Sequence, residues 1–343
     1  MPAILTEGLR KVYPLSAPTR RGGRPGGGPP TGPLSDAPPP SATAGSRELV
    51  ALHGLDLRVD EGEFFGLLGP NGAGKTTTIG ILTTRVRASG GQASVAGADV
   101  VNDPVAVRRR IGVVPQRANP DRGLNVLENL VFHAAYFGVP RGVAAARAEG
   151  LLAQLGIAAK GNEKVDALSG GQQQRLMIAR ALIHEPEVIF LDEPTVGLDP
   201  QARLDLWAVL RELHRQGRTI VMTTHYMEEA DQLCDRVAIV DQGRLLALDT
   251  TAALKARATG GTLIELALDG DAAESARVVA TLPGITRAEG VGDLLRAHSA
   301  EGGRLVAPVL EAAERTGRAV RNISLREPSL ETLFISLTGR NLE

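Results

Sequence analysis

The sequence predicts an α/β fold in which a mostly parallel β-sheet is covered by helices and is followed by a small α+β domain. From Glu63 to about Asp249, short apolar strands alternate with helical segments, an order typical of parallel sheets. The first of these strands runs into a glycine-rich turn and then into a helix. After Asp249 the order becomes β-α-β-β-α-β, which indicates a split βαβ domain. The predicted domains are therefore residues 1–249 and 250–343.

An antiparallel layer is predicted beside this sheet, because residues 3–13 and 49–59 have the composition of pairing strands. The segment between them, residues 14–46, holds nine prolines and seven glycines but few large apolar side chains. Such a segment cannot bury enough apolar surface to offset the entropy lost on ordering. We therefore predict a disordered, solvated insertion. A basic contact site is the alternative, since the segment carries three arginines and one acid.

The elements of the predicted sheet domain follow one another closely. Its strands are predicted at residues 64–68, 111–114, 188–191, 219–223 and 236–241. Its helices are predicted at residues 75 to about 85, 125–157 in two segments, 170–184, 200–216 and 227–234. In the tail, strands are predicted at 262–268, 285–291, 294–299 and 319–325, and helices at 272–282, 305–316 and 329–337. We find no catalytic constellation in the tail.

Composition excludes several classes of function. The formal net charge is -1, so no overall charge attracts nucleic acid, and aromatic residues make up only 3%, which argues against a base-stacking surface. The single cysteine, Cys234, cannot form an intramolecular disulfide and is interpreted as a buried apolar residue in a reducing compartment. No apolar run approaches the roughly 20 residues of a membrane helix. The first ten residues lack a signal-peptide pattern. We expect any membrane role to depend on a partner.

A phosphate-binding loop is predicted at residues 69–76. Its residues are Gly69, Pro70, Asn71, Gly72, Ala73, Gly74, Lys75 and Thr76, which match the pattern G-x-x-x-x-G-K-[ST] between a strand and a helix. Glycines let backbone N–H groups turn toward phosphate oxygens, and the helix N-terminus adds positive potential. Lys75 is expected to reach the β- and γ-phosphates of ATP, and Thr76 to bind Mg²⁺, with Thr77 beside them. The alternative is a fortuitous glycine-rich turn.

Two acids follow the buried strand at residues 188–191. Ligands bind at the carboxyl ends of strands in such sheets, so Asp192 is a candidate Mg²⁺ ligand. Glu193 is a candidate general base that polarises the attacking water. The alternative is a solvated strand end.

A second glycine-rich helix start, the signature segment, comprises Leu168, Ser169, Gly170, Gly171 and Gln172. Ser169 is a good helix N-cap, so simple capping is one interpretation, and a second anion site is the other. Lying between the phosphate loop and the acidic strand, this segment resembles the signature of ABC ATPases. The resemblance covers about residues 3–249. It implies a P-loop NTPase of ABC type with an antiparallel β subdomain and a helical subdomain at about residues 117–168.

The resemblance implies further site residues. Gln116 matches the glutamine that contacts Mg²⁺ and senses the membrane partner, and Asp199 matches the residue that couples two sites in a dimer. His225 matches the histidine that contacts the γ-phosphate, and Tyr13 matches the aromatic residue that stacks on adenine. Taken alone, Gln116 is interpreted as a turn residue and His225 as a structural histidine.

The resemblance also implies partners. ABC ATPases form head-to-tail dimers that hold ATP between the phosphate loop of one copy and the signature segment of the other. Each site of a homodimer would then use Lys75, Asp192, Glu193 and His225 from one copy and Ser169 and Gly171 from the other. The short segment between Gln116 and Leu168 is typical of transporters, which implies a separate polytopic membrane permease. The helix at 125–136 is the expected docking surface; the alternative for this helix is ordinary core packing, and the two are compatible. No nucleic acid partner is expected.

Several segments resemble ATP-binding subunits of drug, antibiotic and nodulation-factor exporters. They lie at residues 64–68, 134–138, 224–230 and 327–340. This resemblance implies a location at the cytoplasmic face of the membrane and export of a drug, antibiotic, lipid or polysaccharide-like substrate. The alternatives are a soluble ABC ATPase acting in regulation or translation, and an importer subunit.

Overall fold

The computed structural model describes residues 1–14, 48–257, 261–299 and 302–338. The predicted insertion at 14–46 lies outside the described residues, apart from Pro14 at the end of the first strand. In chain order the strands are β1 (Pro2–Pro14), β2 (Glu48–Asp60), β3 (Phe64–Leu68), β4 (Gly90–Val95), β5 (Ala98–Asp99), β6 (Ile111–Val114), β7 (Val188–Asp192), β8 (Thr219–Thr224), β9 (Arg236–Asp241), β10 (Arg244–Thr250), β11 (Thr262–Leu268), β12 (Ile285–Val291), β13 (Leu294–Ser299) and β14 (Val320–Arg326). The helices are α1 (Lys75–Leu82), α2 (Pro104–Arg110), α3 (Val126–Tyr136), α4 (Arg141–Gln154), α5 (Gly170–Leu182), α6 (Pro200–Arg215), α7 (Met227–Leu233), α8 (Thr251–Ala256), α9 (Ala273–Val279), α10 (Val306–Glu314) and α11 (Leu330–Thr338).

The central sheet has the strand order β10-β9-β3-β8-β7-β6. Its inner strands β3, β7 and β8 are buried along their whole length, because helices cover one face of the sheet and the antiparallel layer that contains β1 and β2 lies on the other. Strands β3, β6, β7, β8 and β9 are parallel, and β10 pairs with β9 antiparallel. The predicted α/β fold is confirmed. Because β3, β8, β7 and β6 are consecutive neighbours, the four chain segments that follow them meet at one edge.

The antiparallel layer has the order β2-β1-β4-β5, and it confirms the predicted pairing of the first two strands. Its inner side chains and one face of the central sheet share a hydrophobic core. Strands β4 and β5 and helix α2 were not predicted from the sequence. Their signals are weak because β4 begins with two glycines, although Asp103 before Pro104 is a capping pattern that marks the start of α2.

On the other face of the central sheet, α5 contacts β6, and α3 and α4 pack against α5, so that all three helices contribute to one hydrophobic core. The helix predicted to reach about residue 85 ends at Leu82 instead. Thr84 adopts a positive φ of 60°, which a continuing α-helix cannot accommodate.

The third sheet has the order β12-β13-β11-β14, and α9 and α10 pack on it around a core of their own. The predicted β-α-β-β-α-β order of the tail is confirmed. The last helix, α11, lies apart from this core. It contacts α7 and α8 and contributes Leu330, Leu333 and Phe334 to the core of the central sheet. The domain boundary after residue 249 stays a prediction.

Candidate active site

The phosphate loop lies between the end of β3 and the start of α1. Gly69 passes so close to β9 that an added Cβ would lie 2.2 Å from the carbonyl oxygen of Val240. Gly74 adopts a φ of 104° just before α1, a conformation that favours glycine. No side chain caps the first turn of α1, so its backbone N–H groups are available to an anion.

Lys75 is buried at the base of this loop. Its Nζ donates to the carbonyl oxygens of Gly69 at 2.7 Å and Pro70 at 3.1 Å. It also lies 3.2 Å from Glu193 Oε1, and both side chains are at most 6% exposed. The charge of the lysine is thus balanced inside the site by the carboxylate at the end of the neighbouring acidic strand.

Asp192 is the last residue of β7, Glu193 follows it, and their carboxylates have different partners. Asp192 Oδ1 accepts hydrogen bonds from Thr223 Oγ1 at 2.7 Å and from Thr76 Oγ1 at 3.4 Å. Glu193 has a positive φ of 49°, and its backbone N–H donates to Thr223 Oγ1 at 3.0 Å. The turn after β7 therefore places two carboxylates side by side at the phosphate loop.

Glu193 is the point at which the site residues converge. Gln116 Nε2, from the segment after β6, donates to Glu193 Oε2 at 3.0 Å. His225 Nδ1, from the segment after β8, lies 3.5 Å from Glu193 Oε1 and makes no hydrogen bond. Contacts from three separate segments, through Lys75, Gln116 and His225, therefore meet on one carboxylate.

A pocket of about 490 Å³ opens beside these groups. Most of the predicted loop residues line it, together with Tyr13, Gln116 and Glu193. The ring of Tyr13 is half-buried in this lining, and Lys11 Nζ lies 4.7 Å from its centroid. In the described part of the chain, the lining of one pocket therefore extends from Tyr13 to the buried Lys75.

The signature segment lies outside this pocket, on the surface. Ser169 Oγ accepts from the backbone N–H of Gln172 at 3.3 Å, and Gln172 Oε1 accepts from that of Ser169 at 3.0 Å. Gly170 is exposed beside them, and an added Cβ on Gly171 would lie 3.1 Å from Ala202 Cβ. Asp199 caps the nearby α6, where it accepts from the N–H of Ala202. The chain alone therefore does not bring the signature segment to the phosphate loop.

Comparison with known proteins decides the family. A family model described as ABC transporter matches residues 52–196. The daunorubicin resistance ATP-binding protein DrrA3 of Streptomyces coeruleorubidus is 43% identical, over 84% of this chain and 91% of its own length. The chain belongs to the ABC transporter family. As an ATP-binding subunit of this family it is an ATPase, and the predicted family resemblance is confirmed.

Other ABC transporter subunits are similar over nearly the same span. The linearmycin resistance ATP-binding protein LnrL of Bacillus subtilis is 37% identical over 85% of this chain and 94% of its own length. The Nod factor export ATP-binding protein I of Ralstonia nicotianae is 38% identical over 86% and 91%, respectively. A solved dimeric ATP-binding cassette with bound ADP and phosphate aligns with a TM-score of 0.58 and 25% identity, over 72% of this chain and 98% of the other.

Several lining residues of the ABC nucleotide pocket were not predicted from the sequence. They are Leu49, Val50, Ala51, His53 and Gln242. A signal existed for the first of them, because Leu49 lies opposite Tyr13 in the predicted strand pair. Gln242 has a positive φ of 47° and precedes Gly243, a turn pattern that the sequence does show.

The residues of this ABC subunit fit a nucleotide and Mg²⁺. The close approach at Gly69 and the uncapped α1 make a cradle that side chains would fill. The Asp192 carboxylate and the Thr76 hydroxyl are oxygen groups of the kind that Mg²⁺ prefers.

Proposed function

We propose that this chain hydrolyses ATP to power export through a separate membrane permease. The observation that carries the proposal is the convergence of Lys75, Gln116 and His225 on Glu193, beside a glycine-lined phosphate loop. A buried carboxylate that these contacts hold beside a phosphate site is suited to accept a proton from an attacking water.

Each site residue has a proposed role. Backbone N–H groups of Asn71, Gly72 and Gly74 bind phosphate oxygens, Lys75 neutralises these oxygens, and Tyr13 stacks on adenine. Thr76, Asp192 and Gln116 hold Mg²⁺, which offsets phosphate charge when bound. Glu193 accepts the proton of the water, and His225, whose Nδ1 lacks a hydrogen bond, contacts the γ-phosphate region.

A second copy completes the site in this proposal. The signature segment begins a helix at the surface, away from the chain's own phosphate loop. It includes Ser169, Gly170, Gly171 and Gln172. A two-fold dimer would place each signature segment opposite the partner's phosphate loop, with Asp199 near the dyad. Similarity to a dimeric cassette with bound ADP and phosphate supports this arrangement.

The proposed permease docks on the helical subdomain. A groove of about 340 Å³ between α3 and α4 is lined mainly by apolar side chains, with Glu128 and Arg141 among them. Phe132 is 55% exposed and Tyr136 is 86% exposed on the same helix. This groove fits a short amphipathic helix. None of the helices in the described residues has the length and hydropathy of a membrane span. We propose docking at the cytoplasmic face because the similar proteins are named as ATP-binding proteins of resistance and export systems.

Export is proposed from the relatives, which are named for daunorubicin resistance, linearmycin resistance and Nod factor export. The proposed substrate is accordingly a drug, antibiotic, lipid or polysaccharide-like molecule. Co-purification with a polytopic membrane protein is expected, and recovery with ribosomes alone would contradict the transport role. A required extracellular solute-binding protein would indicate import instead.

Glu193→Gln tests the catalytic assignment. We expect hydrolysis to fall at least about 100-fold, because the amide cannot accept the proton, while ATP binding is retained. A dimer should accumulate with ATP on size-exclusion chromatography. The control is Glu149→Gln, an exposed change on α4, which should leave turnover unchanged. Wild-type turnover by Glu193→Gln would show that the base is a different group.

A further inference from the structure

A third buried carboxyl, besides those of Asp192 and Glu193, lies on α7. Glu229 is fully buried, and its Oε1 accepts a hydrogen bond from Trp207 Nε1 at 3.2 Å. Thr195 and Thr224 are buried next to it, at 2% and 1% exposure. Glu229 makes no ion pair among the described residues, whereas its neighbour Glu228 lies at the surface, 3.7 Å from Arg203. An unpaired buried acid is costly to keep in a core, so it calls for a role.

The surroundings of Glu229 favour the protonated form. Burial raises its pKa, and the hydroxyls of Thr224 and Thr195, the indole of Trp207 and the charge of Arg203 offset only part of that effect. A carboxylic acid can donate through its second oxygen. In this arrangement Glu229 Oε2 and Thr195 Oγ1 both lack a hydrogen-bond partner of good geometry, and a single hydrogen bond between these two neighbouring oxygens would satisfy both.

The position of this carboxyl connects it to the reaction. Thr195 follows Glu193 by two residues, and Thr224 directly precedes His225. The Thr224 hydroxyl also accepts from the backbone N–H of Tyr226 at 2.9 Å, on the far side of that histidine. Trp207 belongs to α6, the helix that Asp199 caps. One side chain thus faces the three segments that carry Glu193, Asp199 and His225.

We propose that Glu229 is a positioning residue for ATP hydrolysis, whose buried carboxyl links the turn after Glu193 to the strand end before His225. The 3.5 Å approach of His225 to Glu193 depends on two backbone segments, which the N–H of Glu193 joins by donating to the hydroxyl and to the carbonyl oxygen of Thr223. The Glu229 carboxyl, buried next to Thr195 and Thr224, adds a contact from α7 to both segments. This inference rests on the proposed function but names a residue outside the pocket lining.

The test compares Glu229→Ala with Glu229→Gln in the full chain. Gln is neutral, similar in shape and able to accept from Trp207, so we expect its kcat to stay within about threefold of wild type. Ala removes the link, so we expect kcat to fall at least about tenfold while the KM for ATP stays within about threefold. If Glu229 had only a structural role, both variants would lose thermal stability, and Ala would not lower kcat selectively while leaving KM unchanged. Glu228→Ala, the adjacent exposed acid, is the matched control and should match wild type.

Trp207→Phe covers the case in which Glu229→Ala does not fold. It keeps an aromatic ring and removes the N–H donor, so we expect a smaller fall in kcat with unchanged KM. If Glu229→Ala folds and has wild-type kcat, the inference about Glu229 is overturned. If Glu229→Ala does not fold, a wild-type kcat in Trp207→Phe overturns it. Neither result affects the proposed function. A wild-type chain without ATPase activity would overturn the proposed function as well.

Discussion

Glu193 holds a backbone conformation that few residues other than glycine adopt. A positive φ in such a residue costs on the order of 1–3 kcal/mol, and here two hydrogen bonds from its N–H, to the hydroxyl and carbonyl of Thr223, hold the turn. The strain turns the side chain away from Asp192 and toward Lys75. The local sequence motif predicted that Asp192 and Glu193 are site residues. It did not predict the backbone conformation of Glu193, because that conformation depends on contact with β8.

Cys234 illustrates burial at the scale of a single residue. Its side chain lies against β3, where an added Cβ on Gly66 would be 2.7 Å from Sγ. Burial raises the pKa of the thiol well above its usual range, and nearby acidic side chains raise it further. The expectation of a buried apolar cysteine is confirmed.

We predict that native Cys234 resists alkylation, because only the thiolate reacts and the side chain is inaccessible. Iodoacetamide labelling at pH 8, followed by mass spectrometry, should be at least about 100-fold slower in the native chain than in guanidinium. Labelling of the native chain at the rate of a free thiol would contradict this burial. The same chain in denaturant supplies the control.

At the scale of elements, α3 and α5 meet through a group of rings. Phe137 stacks on His184 with centroids 3.6 Å apart, and His133 lies 5.3 Å from Phe137. Arg180 Nη1 donates to the carbonyl oxygen of Asn119, which fastens the segment after Gln116 to α5. Helical periodicity predicted α3 and α5, whereas the ring contacts join residues about 50 positions apart and could not be inferred from one sequence.

We predict that this junction makes stability depend on pH. Burial, then the charges of Arg180 and His184, lower the pKa of His133 from 6.5 to about 4. Between these values the unfolded chain binds more protons than the folded chain, so the free energy of unfolding should fall as pH drops from 6.5 to 4. His133→Gln should flatten part of this slope in urea titrations at several pH values.

Part of the slope should remain in His133→Gln, because burial also lowers the pKa of His184. The control is His53→Gln, a change at an exposed histidine, which should keep the wild-type slope. An unchanged slope in His133→Gln would show that this ring does not carry the effect.

At the scale of the whole molecule, the arrangement of strands determines what one chain can and cannot do. Strands β3, β8, β7 and β6 bring four sequence motifs to one edge, although these lie up to about 150 residues apart. The sequence motifs predicted the members of this site and the class of fold. Three features could not be predicted in this way: the strand order, the contribution of β2 to the pocket lining, and the packing of α11 against the core of the central sheet. Each depends on contacts between residues far apart in the chain, which a single sequence does not reveal.

We predict complementation between two inactive variants. Lys75→Ala impairs the phosphate loop, and Ser169→Arg impairs the signature segment. About half of the dimers formed at random from an equal mixture are mixed, and each mixed dimer of a head-to-tail pair has one intact site. ATPase activity of the mixture should therefore clearly exceed that of either variant alone.

The control mixture combines Lys75→Ala with Glu193→Gln, which impair the same half of the site. Every site in its mixed dimers has one defect, so no rescue is expected. Activity of the first mixture at only the mean of its components would contradict a shared site.

The return of α11 to the central core has a consequence for synthesis. Phe334 is fully buried among side chains that were made as early as Phe64, so the core contains a gap until residues near position 334 have left the ribosome. The third sheet, with its own core, can close before then. The order of folding therefore differs from the order of translation. The core of the central sheet, most of which is translated first, is completed only when α11 packs against it.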